Sequence, residues 1–359
     1  MIRALLLMLV ITSSVAAKQP QSFTLGMSSA TQGPAKDIGL ALGLGAQLYF
    51  DRHNRENESF KINLVHLNDG YEPLNTVANT RRLIELYEVD ALFGYMGTPT
   101  TTAILDLVRK QQVPLLFPYT GAQSFRLSKN EFIIHLRNSY EHEAIAQAKY
   151  LKSKGAKNIA LLVQADEFGL EAGNSLITAM KGQGLNVTNT ARFRRNSTDI
   201  ESAIKVLFST PVDAVALVGT YSPVGEFINK AHEQGHSPLY TAMSFTSQAS
   251  LSSLIKHHSI VMVTEVVADP LTCQQGLCSL FKEDLTQAGV VAPNRLHFEG
   301  YLNAYATTKI IDFCQTRSSN LQQCIISYGS RVVRNDPDLT ALFKLNEKVG
   351  DNVYQVMLN

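Results

Sequence analysis

Two segments of the sequence combine hydroxyl-bearing and small residues directly after apolar runs: Gly97-Thr98-Pro99 and Tyr119-Thr120-Gly121-Ala122. Thr98 followed by proline is typical of a helix N-terminus, and we predict Thr98 as its N-cap. The free N–H groups of a first helical turn, together with a hydroxyl, favour an anionic group such as a carboxylate. Either threonine alone could serve only to cap a helix or a turn, but two such segments together favour a ligand-binding site.

Motifs that would indicate a metal centre are weak. His232-Glu-Gln-Gly-His236 matches the zinc-protease pattern, in which both histidines must share one face of a helix. Gly235 and Ser237-Pro238 end the predicted helix between the two histidines, and no third ligand is evident. We therefore expect no metal site and no catalytic residue here.

The glycines Gly39, Gly43 and Gly45 lack the G-x-G-x-x-G spacing of dinucleotide-binding loops and fall inside a helical pattern. We expect them to allow close packing of that helix, and we expect no cofactor. Neither a G-x-S-x-G motif nor a G-x-x-x-x-G-K-[ST] motif occurs, and no nucleophile–base–acid set has supporting context. An exported enzyme is accordingly the least favoured class of function.

The four cysteines form two close pairs in the sequence, Cys273/Cys278 and Cys314/Cys324. Four cysteines allow three connectivities, and proximity favours pairing within each pair. A zinc site is the alternative, but these spacings do not match short zinc knuckles and no histidine lies inside either pair. We expect two local disulfides, which require an oxidising compartment.

Length and composition predict two globular domains, and the N-terminal residues predict export. The 359 residues are 45% hydrophobic and carry 32 Lys and Arg against 31 Asp and Glu, so no charge excess favours nucleic acid as a partner. Met1-Ile-Arg3, the apolar run from Ala4 to Ile11 and the small residues up to Ala17 are typical of a signal peptide over residues 1–17. We expect cleavage near Ala17 and a periplasmic, monomeric protein.

Short apolar runs alternate with amphipathic segments along the chain, which predicts parallel sheets covered by helices on both faces. The predicted strands are Phe23–Ser28, Lys61–Asn68, Val89–Met96, Val113–Tyr119, Phe132–Leu136, Asn158–Gln164, Asn186–Phe193, Ala214–Gly219, Leu239–Phe245 and Ile260–Val267. Ser222-Pro223 predicts a second helix start of the Thr98-Pro99 type. Ten strands would be many for one open sheet, so we expect two doubly wound sheets in an α/β fold.

The chain resembles the type I periplasmic solute-binding proteins, in particular the leucine/isoleucine/valine-binding branch that serves ABC importers and is also used as a sensory domain. The resemblance spans nearly the whole mature chain and lies in the order and spacing of short motifs. These are Leu25-Gly-Met-Ser-Ser with Gly33-Pro34, Asn68-Asp-Gly-Tyr-Glu-Pro73, Asn79-Thr-Arg-Arg-Leu-Ile84, Gly94-x-x-Gly-Thr98, Val113-Pro-Leu-Leu-Phe-Pro118 with Thr120-Gly121-Ala122, Asp166-Glu-Phe-Gly169 and Gly219-Thr-Tyr221.

The resemblance implies two Rossmann-like lobes that are joined by three hinge crossings. These crossings are expected near Arg137–Tyr140, Val266–Ala268 and Leu345–Gly350, so that residues 18–138 and 268–346 form lobe 1 and residues 139–267 and 347–359 form lobe 2. The implied function is closure of the lobes around a small organic ligand, which is delivered to a membrane ABC permease. A receptor that signals to a membrane-bound regulator is the alternative.

The resemblance also implies which residues bind the ligand. Gly97 and Thr98, with Thr120-Gly121-Ala122, match the lobe 1 loops that hold an α-carboxylate in amino-acid-binding members. Lobe 2 would close with the residues at matching positions, which are Tyr140, Phe168, Tyr221 and Ser244.

Two departures from the amino-acid pattern bear on the ligand. Phe168 stands where the family often has tyrosine, and the acid that would pair with an ammonium is absent from Met243-Ser-Phe-Thr246. A buried ammonium without a carboxylate partner is unfavourable. We therefore expect a carboxylate or neutral ligand, with aromatic compounds included in that class. Stacking faces would come from Tyr71, Tyr119, Phe168, Tyr221 and Phe245, although each ring could instead belong to the core.

Overall fold

The computed structural model describes residues 20–274 and 276–358. The predicted signal peptide, residues 1–17, lies outside the described residues. Each of two lobes contains one sheet that is covered by helices, so the predicted fold class of two doubly wound α/β lobes is confirmed.

Eleven strands are described, and they form two sheets. The strands are β1 (Gln21–Ser29), β2 (Phe60–Asn68), β3 (Ala91–Phe93), β4 (Leu115–Leu116), β5 (Ile133–Ile134), β6 (Asn158–Gln164), β7 (Asn186–Phe193), β8 (Ala214–Val218), β9 (Leu239–Ala242), β10 (Val261–Glu265) and β11 (Tyr354–Leu358). Lobe 1 contains the parallel sheet β2-β1-β3-β4-β5, and lobe 2 contains β11-β10-β9-β8-β6-β7. The edge strand β11 was not predicted, and it pairs antiparallel to β10.

Twelve α-helices are described. They are α1 (Lys36–Glu56), α2 (Pro73–Glu85), α3 (Thr98–Gln111), α4 (Tyr140–Ser153), α5 (Glu167–Gly182), α6 (Glu201–Leu207), α7 (Tyr221–Glu233), α8 (Gln248–Leu254), α9 (Gly276–Gln287), α10 (Arg295–Gln315), α11 (Leu321–Arg334) and α12 (Pro337–Leu342). Within the described ranges, no helix combines the length and apolar character needed to cross a membrane.

The strand order places the ends of several strands at one cleft. In both sheets the order reverses beside the first strand of the lobe, at β1/β3 and at β6/β8. A crevice forms at the carboxyl ends of the strands at such a reversal, and ligands bind there in open α/β sheets. The loops that follow the carboxyl ends of the strands next to these reversals can therefore contribute to a site.

Close helix packing explains the glycines of α1. A Cβ at Gly45 would overlap the carbonyl of His297 in α10, and a Cβ at Gly39 would overlap the carbonyl of Ala30. Gly43 lies against the ring of His66. The prediction that these glycines serve packing is confirmed.

Several predicted boundaries are wrong. Four observed strands are shorter than predicted: Val89–Met96, Val113–Tyr119, Phe132–Leu136 and Ile260–Val267 contain strands only over Ala91–Phe93, Leu115–Leu116, Ile133–Ile134 and Val261–Glu265. The predicted strand Leu239–Phe245 ends at Ala242, and a 3-10 turn over Ser244–Thr246 follows it. The chain leaves the sheet there because the backbone N–H of Ser244 donates to Glu143 instead of to a neighbouring strand. Helix α7 begins at Tyr221 with Thr220 as N-cap, so Ser222 is not the cap.

Both predicted disulfides are present. Cys273–Cys278 joins the loop before α9 to the first turn of that helix. Cys314–Cys324 joins the end of α10 to α11, with 5.7 Å between the two Cα atoms. Both therefore crosslink helices that follow β10 in the chain, and the favoured connectivity is confirmed.

Candidate functional site

Three hydroxyl groups meet at the lobe 1 side of the cleft. The Oγ1 atoms of Thr98 and Thr120 are 2.8 Å apart, and Thr120 Oγ1 lies 3.4 Å from the hydroxyl of Tyr140. All three side chains are buried. The predicted convergence of the loops after β3 and β4 is thus present, because Thr98 follows β3 and Thr120 follows β4.

Thr98 is not the N-cap of α3, which corrects the prediction. Gly97 occupies the cap position with φ of +99° and ψ of 156°, and Thr98 is the first helical residue. A left-handed φ favours glycine, and a Cβ at Gly97 would also overlap the ring of Tyr71. The hydroxyl of Thr98 is therefore directed to Thr120 instead of back to the helix.

Five aromatic side chains form a buried group between the lobes, which we call the ring cluster: Tyr71, Tyr119, Tyr140, Phe168 and Phe245. The ring of Phe245 lies 4.6 Å from that of Phe168, 5.2 Å from that of Tyr119 and 5.7 Å from that of Tyr71, centroid to centroid. Phe168 in turn lies 5.2 Å from Tyr140. The rings therefore contact each other, and Phe245 links rings of both lobes.

Gly121 allows the ring of Tyr140 to approach the loop after β4. A Cβ at Gly121 would overlap that ring, and the backbone N–H of Tyr140 donates to the Gly121 carbonyl at 2.8 Å. Burial raises the pKa of Tyr140. The phenol consequently stays protonated over the physiological range and can donate a hydrogen bond.

Ser244 is fixed by charged groups behind the ring cluster. The two carboxylate oxygens of Glu143 accept from the Ser244 backbone N–H at 2.7 Å and from its hydroxyl at 2.9 Å. Arg137 also donates to the Ser244 hydroxyl, and the Tyr119 hydroxyl donates to the Ser244 carbonyl at 3.0 Å. Ser244 therefore connects lobe 2 to the first predicted crossing and to lobe 1.

The charged groups around Ser244 are buried, and the pKa of each depends on the charge of the others. Burial raises the pKa of Glu143, although Arg137 and the hydrogen bonds from Ser244 oppose that shift. Burial disfavours the charge of Arg137, but Glu299, 3.7 Å away, and Glu143 raise its pKa overall. The guanidinium of Arg137 lies 4.1 Å from the centroid of the Tyr119 ring, over its face. Arg137 therefore remains charged within the wall of the cleft.

A second set of contacts joins the lobes at the edge of the cleft, and we call it the charged rim: Glu72, Asp166, Arg195 and Asn196. Arg195 lies 2.8 Å from the carboxylate of Glu72 in lobe 1 and 3.2 Å from that of Asp166 in lobe 2. Asn196 donates to the other oxygen of Glu72 at 2.8 Å. These side chains are only partly buried apart from Asp166, whose side chain is 5% exposed.

Tyr221 is the predicted site residue that stands apart from the ring cluster. Its hydroxyl accepts from the backbone N–H of Asp37, in the first turn of α1, at 3.3 Å. Tyr221 therefore bridges α7 of lobe 2 to lobe 1, and its role in ligand binding stays a prediction.

The family model described as periplasmic binding protein matches residues 22–316. The chain belongs to this family. This periplasmic binding protein is also similar to solved structures of the same fold. A possible leucine/isoleucine/valine-binding protein from Rhodopirellula baltica is 26% identical, with 90% of each chain covered and a TM-score of 0.83.

Two further structures similar to this periplasmic binding protein carry ligands. A branched chain amino acid ABC transporter protein from Thermus thermophilus with bound valine is 18% identical, covers 86% of this chain and 84% of its own, and has a TM-score of 0.77. A solute binding protein of an ABC transporter from R. palustris in complex with 4-hydroxybenzoate is 16% identical, with 85% and 84% covered and a TM-score of 0.74. At these identities the likeness concerns the fold.

Sequence reasoning missed several residues that shape the cleft of this periplasmic binding protein. Arg195 and Asn196 directly follow β7, so the strand-end rule that found Thr98 would also have found them. Arg137, Glu143 and Glu299 come from separate segments, and only the fold brings them together. No local pattern identifies that second group.

The histidine motif does not form a metal centre in this periplasmic binding protein. Helix α7 ends at Glu233, and the ring of His232 stacks on that of His257 at 4.3 Å, whereas His236 stacks on Phe208. Across the part of the chain that the structure describes, no three His, Cys, Asp or Glu side chains are grouped to hold a metal ion.

Proposed function

We propose that this periplasmic binding protein is exported, cleaved near Ala17, and closes its lobes as a monomer around a small organic carboxylate that it delivers to a membrane ABC permease. One observation carries the proposal. The hydroxyls of Thr98, Thr120 and Tyr140, which come from separate strand ends and from α4, meet beside the ring cluster in the cleft between the lobes. Such a surface suits reversible binding and holds no set of groups for bond cleavage.

A carboxylate fits the lobe 1 side of the cleft. The hydroxyls of Thr98 and Thr120 are hydrogen-bond donors, and the N-terminus of α3 adds a positive partial charge beside them. We propose that the solute's carboxylate binds here. The 4-hydroxybenzoate complex of the similar R. palustris protein supports a carboxylate solute in this fold.

The acids near the cleft argue against an ammonium group on the solute. Glu143 accepts from Ser244 through both oxygens and from Thr264 at 2.6 Å. Asp69 accepts from Ser28 at 2.9 Å and from the backbone of Tyr71 at 2.8 Å. Because these carboxylates are buried and already paired, an ammonium would lack a free partner. We propose a solute that has a carboxylate and no ammonium.

Phe245 closes over the solute in this proposal. The residues on either side of it are held to lobe 2, Ser244 by Glu143 and Thr246 by a 2.8 Å hydrogen bond to the Gly219 carbonyl. The ring therefore moves with lobe 2 as a rigid part of its surface. Opening the lobes would uncover Thr98 and Thr120, and closure would return the ring over the bound solute.

The proposed hinge is supported by contacts of the first two predicted crossings with residues that flank the third predicted crossing, Leu345–Gly350. Asn138, in the first crossing, donates to the Phe343 carbonyl at 2.9 Å and also to Asn352. The backbone N–H of Ala268, in the second crossing, donates to the Leu342 carbonyl at 3.0 Å. We propose that these three segments bend together when the lobes open, with lobe boundaries near residues 138, 268 and 346.

A thermal-shift screen of the mature protein tests the function. The panel contains amino acids, aromatic acids and small aliphatic carboxylates, and a solute at 100 times its dissociation constant should add about 2.7 kcal/mol to the free energy of unfolding. We expect carboxylates without an ammonium to give the largest shifts. If only amino acids shift the transition, the proposed solute class is wrong, and if nothing does, the binding role is wrong.

The site is tested by Thr98→Ala with Thr102→Ala as its matched control on the same helix, because Thr102 is exposed. Loss of a hydrogen bond to a charged group should weaken the best carboxylate by about 10-fold or more, whereas T102A should bind normally. Equal affinities of T98A and wild type would remove Thr98 from the site. A transport role predicts that cells lacking the protein lose uptake of that carboxylate. A purely sensory role predicts that their uptake is unchanged.

A further inference from the structure

A cavity of about 410 Å³ lies at the first hinge crossing, and we call it the hinge cavity. Arg137 and Ser139 of the crossing form part of its wall, Arg126 and Arg334 line it from lobe 1, and His142 lines it from lobe 2. Its lining residues, all within the described ranges, include no aspartate or glutamate. The hinge cavity is therefore lined by cationic and neutral groups, and it is separate from the hydroxyls of Thr98 and Thr120.

Arg126 lacks a counter-ion. Its Nη2 donates to the Arg137 carbonyl at 2.8 Å, and its Nε is buried without a hydrogen-bond partner. No carboxylate in residues 20–274 and 276–358 forms an ion pair with Arg126 or with Arg334. Burial, together with repulsion from Arg137 and Arg334, lowers the pKa of Arg126 to about 10. The group is still charged at neutral pH, and although the side chain is only partly buried, its buried Nε–H without an acceptor is costly.

Two other basic residues near Arg126, Arg137 and His135, do not neutralise its positive charge. Arg137 is itself a cation, and its own charge is balanced on the far side by Glu299. His135, also in the wall, adds no charge because burial lowers its pKa to about 3. The unbalanced charges of the hinge cavity are therefore those of Arg126 and Arg334.

Ser139 adds a neutral donor to the same cavity. Its side chain is 2% exposed, and its hydroxyl has no hydrogen-bond partner. Ser139 is the N-cap residue of α4, yet its side chain accepts no bond from that helix. The positive end of a 14-residue helix therefore lies beside a free hydroxyl and an unpaired guanidinium.

We propose that the hinge cavity binds a small oxyanion such as phosphate or sulfate, held by the guanidinium groups of Arg126 and Arg334 and by the Ser139 hydroxyl. An oxyanion would satisfy the buried donors and supply the missing negative charge. The volume also leaves room for water molecules, each of which needs about 30 Å³. This binding needs no organic solute, so it goes beyond the function proposed above.

The test is thermal unfolding of the mature protein in Tris chloride, with sodium phosphate or sulfate titrated against sodium chloride at matched ionic strength. We expect a saturable stabilisation by the oxyanions that chloride does not reproduce. Calorimetric titration with phosphate should give the same dissociation constant. Absence of a saturable effect in the wild type overturns the proposal, whatever organic solutes do.

Variants locate the oxyanion. Arg126→Gln and Arg334→Gln should each weaken phosphate at least 10-fold, and Arg126→Lys should retain part of the affinity. The control is Arg109→Gln, because Arg109 is a lobe 1 arginine that is paired with an exposed aspartate away from the cavity. Arg334 is exposed, so R334Q should fold, and its phosphate affinity can be measured even if R126Q does not fold. Wild-type phosphate affinity in R334Q overturns the proposed site.

Discussion

The two sets of contacts that join the lobes differ in chemistry. The ring cluster at the centre is uncharged and buried, and its closest rings lie 4.6 Å apart. The charged rim instead depends on Arg195, whose side chain is 19% exposed and pairs with a Glu72 side chain that is 45% exposed. The contact between the lobes therefore consists of apolar burial at its centre and, at its edge, of an arginine that pairs with one solvated and one buried carboxylate.

This difference indicates where the free energy of closure lies. Removing ring surface from water is favourable and insensitive to salt, at roughly 25 cal/mol per Å². Ion pairs that remain in contact with water contribute typically 0.2–1 kcal/mol, and salt weakens them. We therefore expect the ring cluster to set the strength of closure and the charged rim to set its salt dependence.

The largest effect is expected for Phe245→Ala. Loss of a buried phenylalanine costs about 3–5 kcal/mol of the free energy of unfolding. Because Phe245 contacts rings of both lobes, the variant should also shift the lobes apart. Small-angle scattering of the solute-free protein should show a larger radius of gyration.

The matched control for that variant is Phe227→Ala. Phe227 is equally buried, but it packs inside lobe 2 against Phe208 and Tyr240. F227A should lose similar stability in urea denaturation while its radius of gyration stays at the wild-type value. Equal opening in the two variants would show that the ring cluster has no special role in closure.

A buried carboxyl group behind the centre should give the next largest effect, through pH. Glu265, the last residue of β10, is 6% exposed, and burial raises its pKa from 4.5 to about 8. The folded state thus holds the proton more tightly than the unfolded chain. The stabilisation from this group is complete below pH 4.5 and is lost as the pH rises through 8, which amounts to about 3 kcal/mol between pH 5 and 8.

Glu265→Gln measures that contribution. The glutamine cannot ionise, so its free energy of unfolding should fall less between pH 5 and 8 than that of the wild type. Urea denaturation at the two pH values gives the difference, and titrating groups remote from Glu265 cancel in the comparison. Parallel pH profiles for the two proteins would mean that Glu265 is ionised in the folded state.

The centre of the cleft was more predictable from sequence than the rim or the buried charges. Tyr119 and Thr120 follow an apolar run, and parallel strands bring such ends to one edge of a sheet. The contacts made by Phe245 were not predictable, because they depend on how far lobe 2 rotates toward lobe 1. Phe245 was expected to offer a stacking face to the ligand, which stays a prediction, and in this structure its ring packs on those of Tyr119 and Phe168.

The sequence was least informative about the fold after β10. Helices α9 to α12 and strand β11 were not predicted. Helix α10 packs against α1 and is buried on most of its faces, so it lacks the single apolar stripe that indicates a surface helix. Strand β11 is a five-residue edge strand whose burial alternates, and so short a pattern is ambiguous.

The smallest effect is expected at the charged rim, for Arg195→Gln. The variant loses the ion pairs to Glu72 and Asp166. Because Glu72 is solvated and the Asp166 carboxylate keeps its hydrogen bonds from Gln164 and the Phe168 backbone, the loss should cost about 1 kcal/mol at low salt. Raising NaCl from roughly 0.05 to 0.5 M should reduce the wild-type free energy of unfolding toward that of R195Q, because salt screens the pairs that the variant lacks. Arg109→Gln is the control, since its partner Asp106 has a 99% exposed side chain and should contribute almost nothing. A loss above about 3 kcal/mol in R195Q, comparable to that of F245A, would place the energy of closure at the rim and reverse the contrast between the two regions.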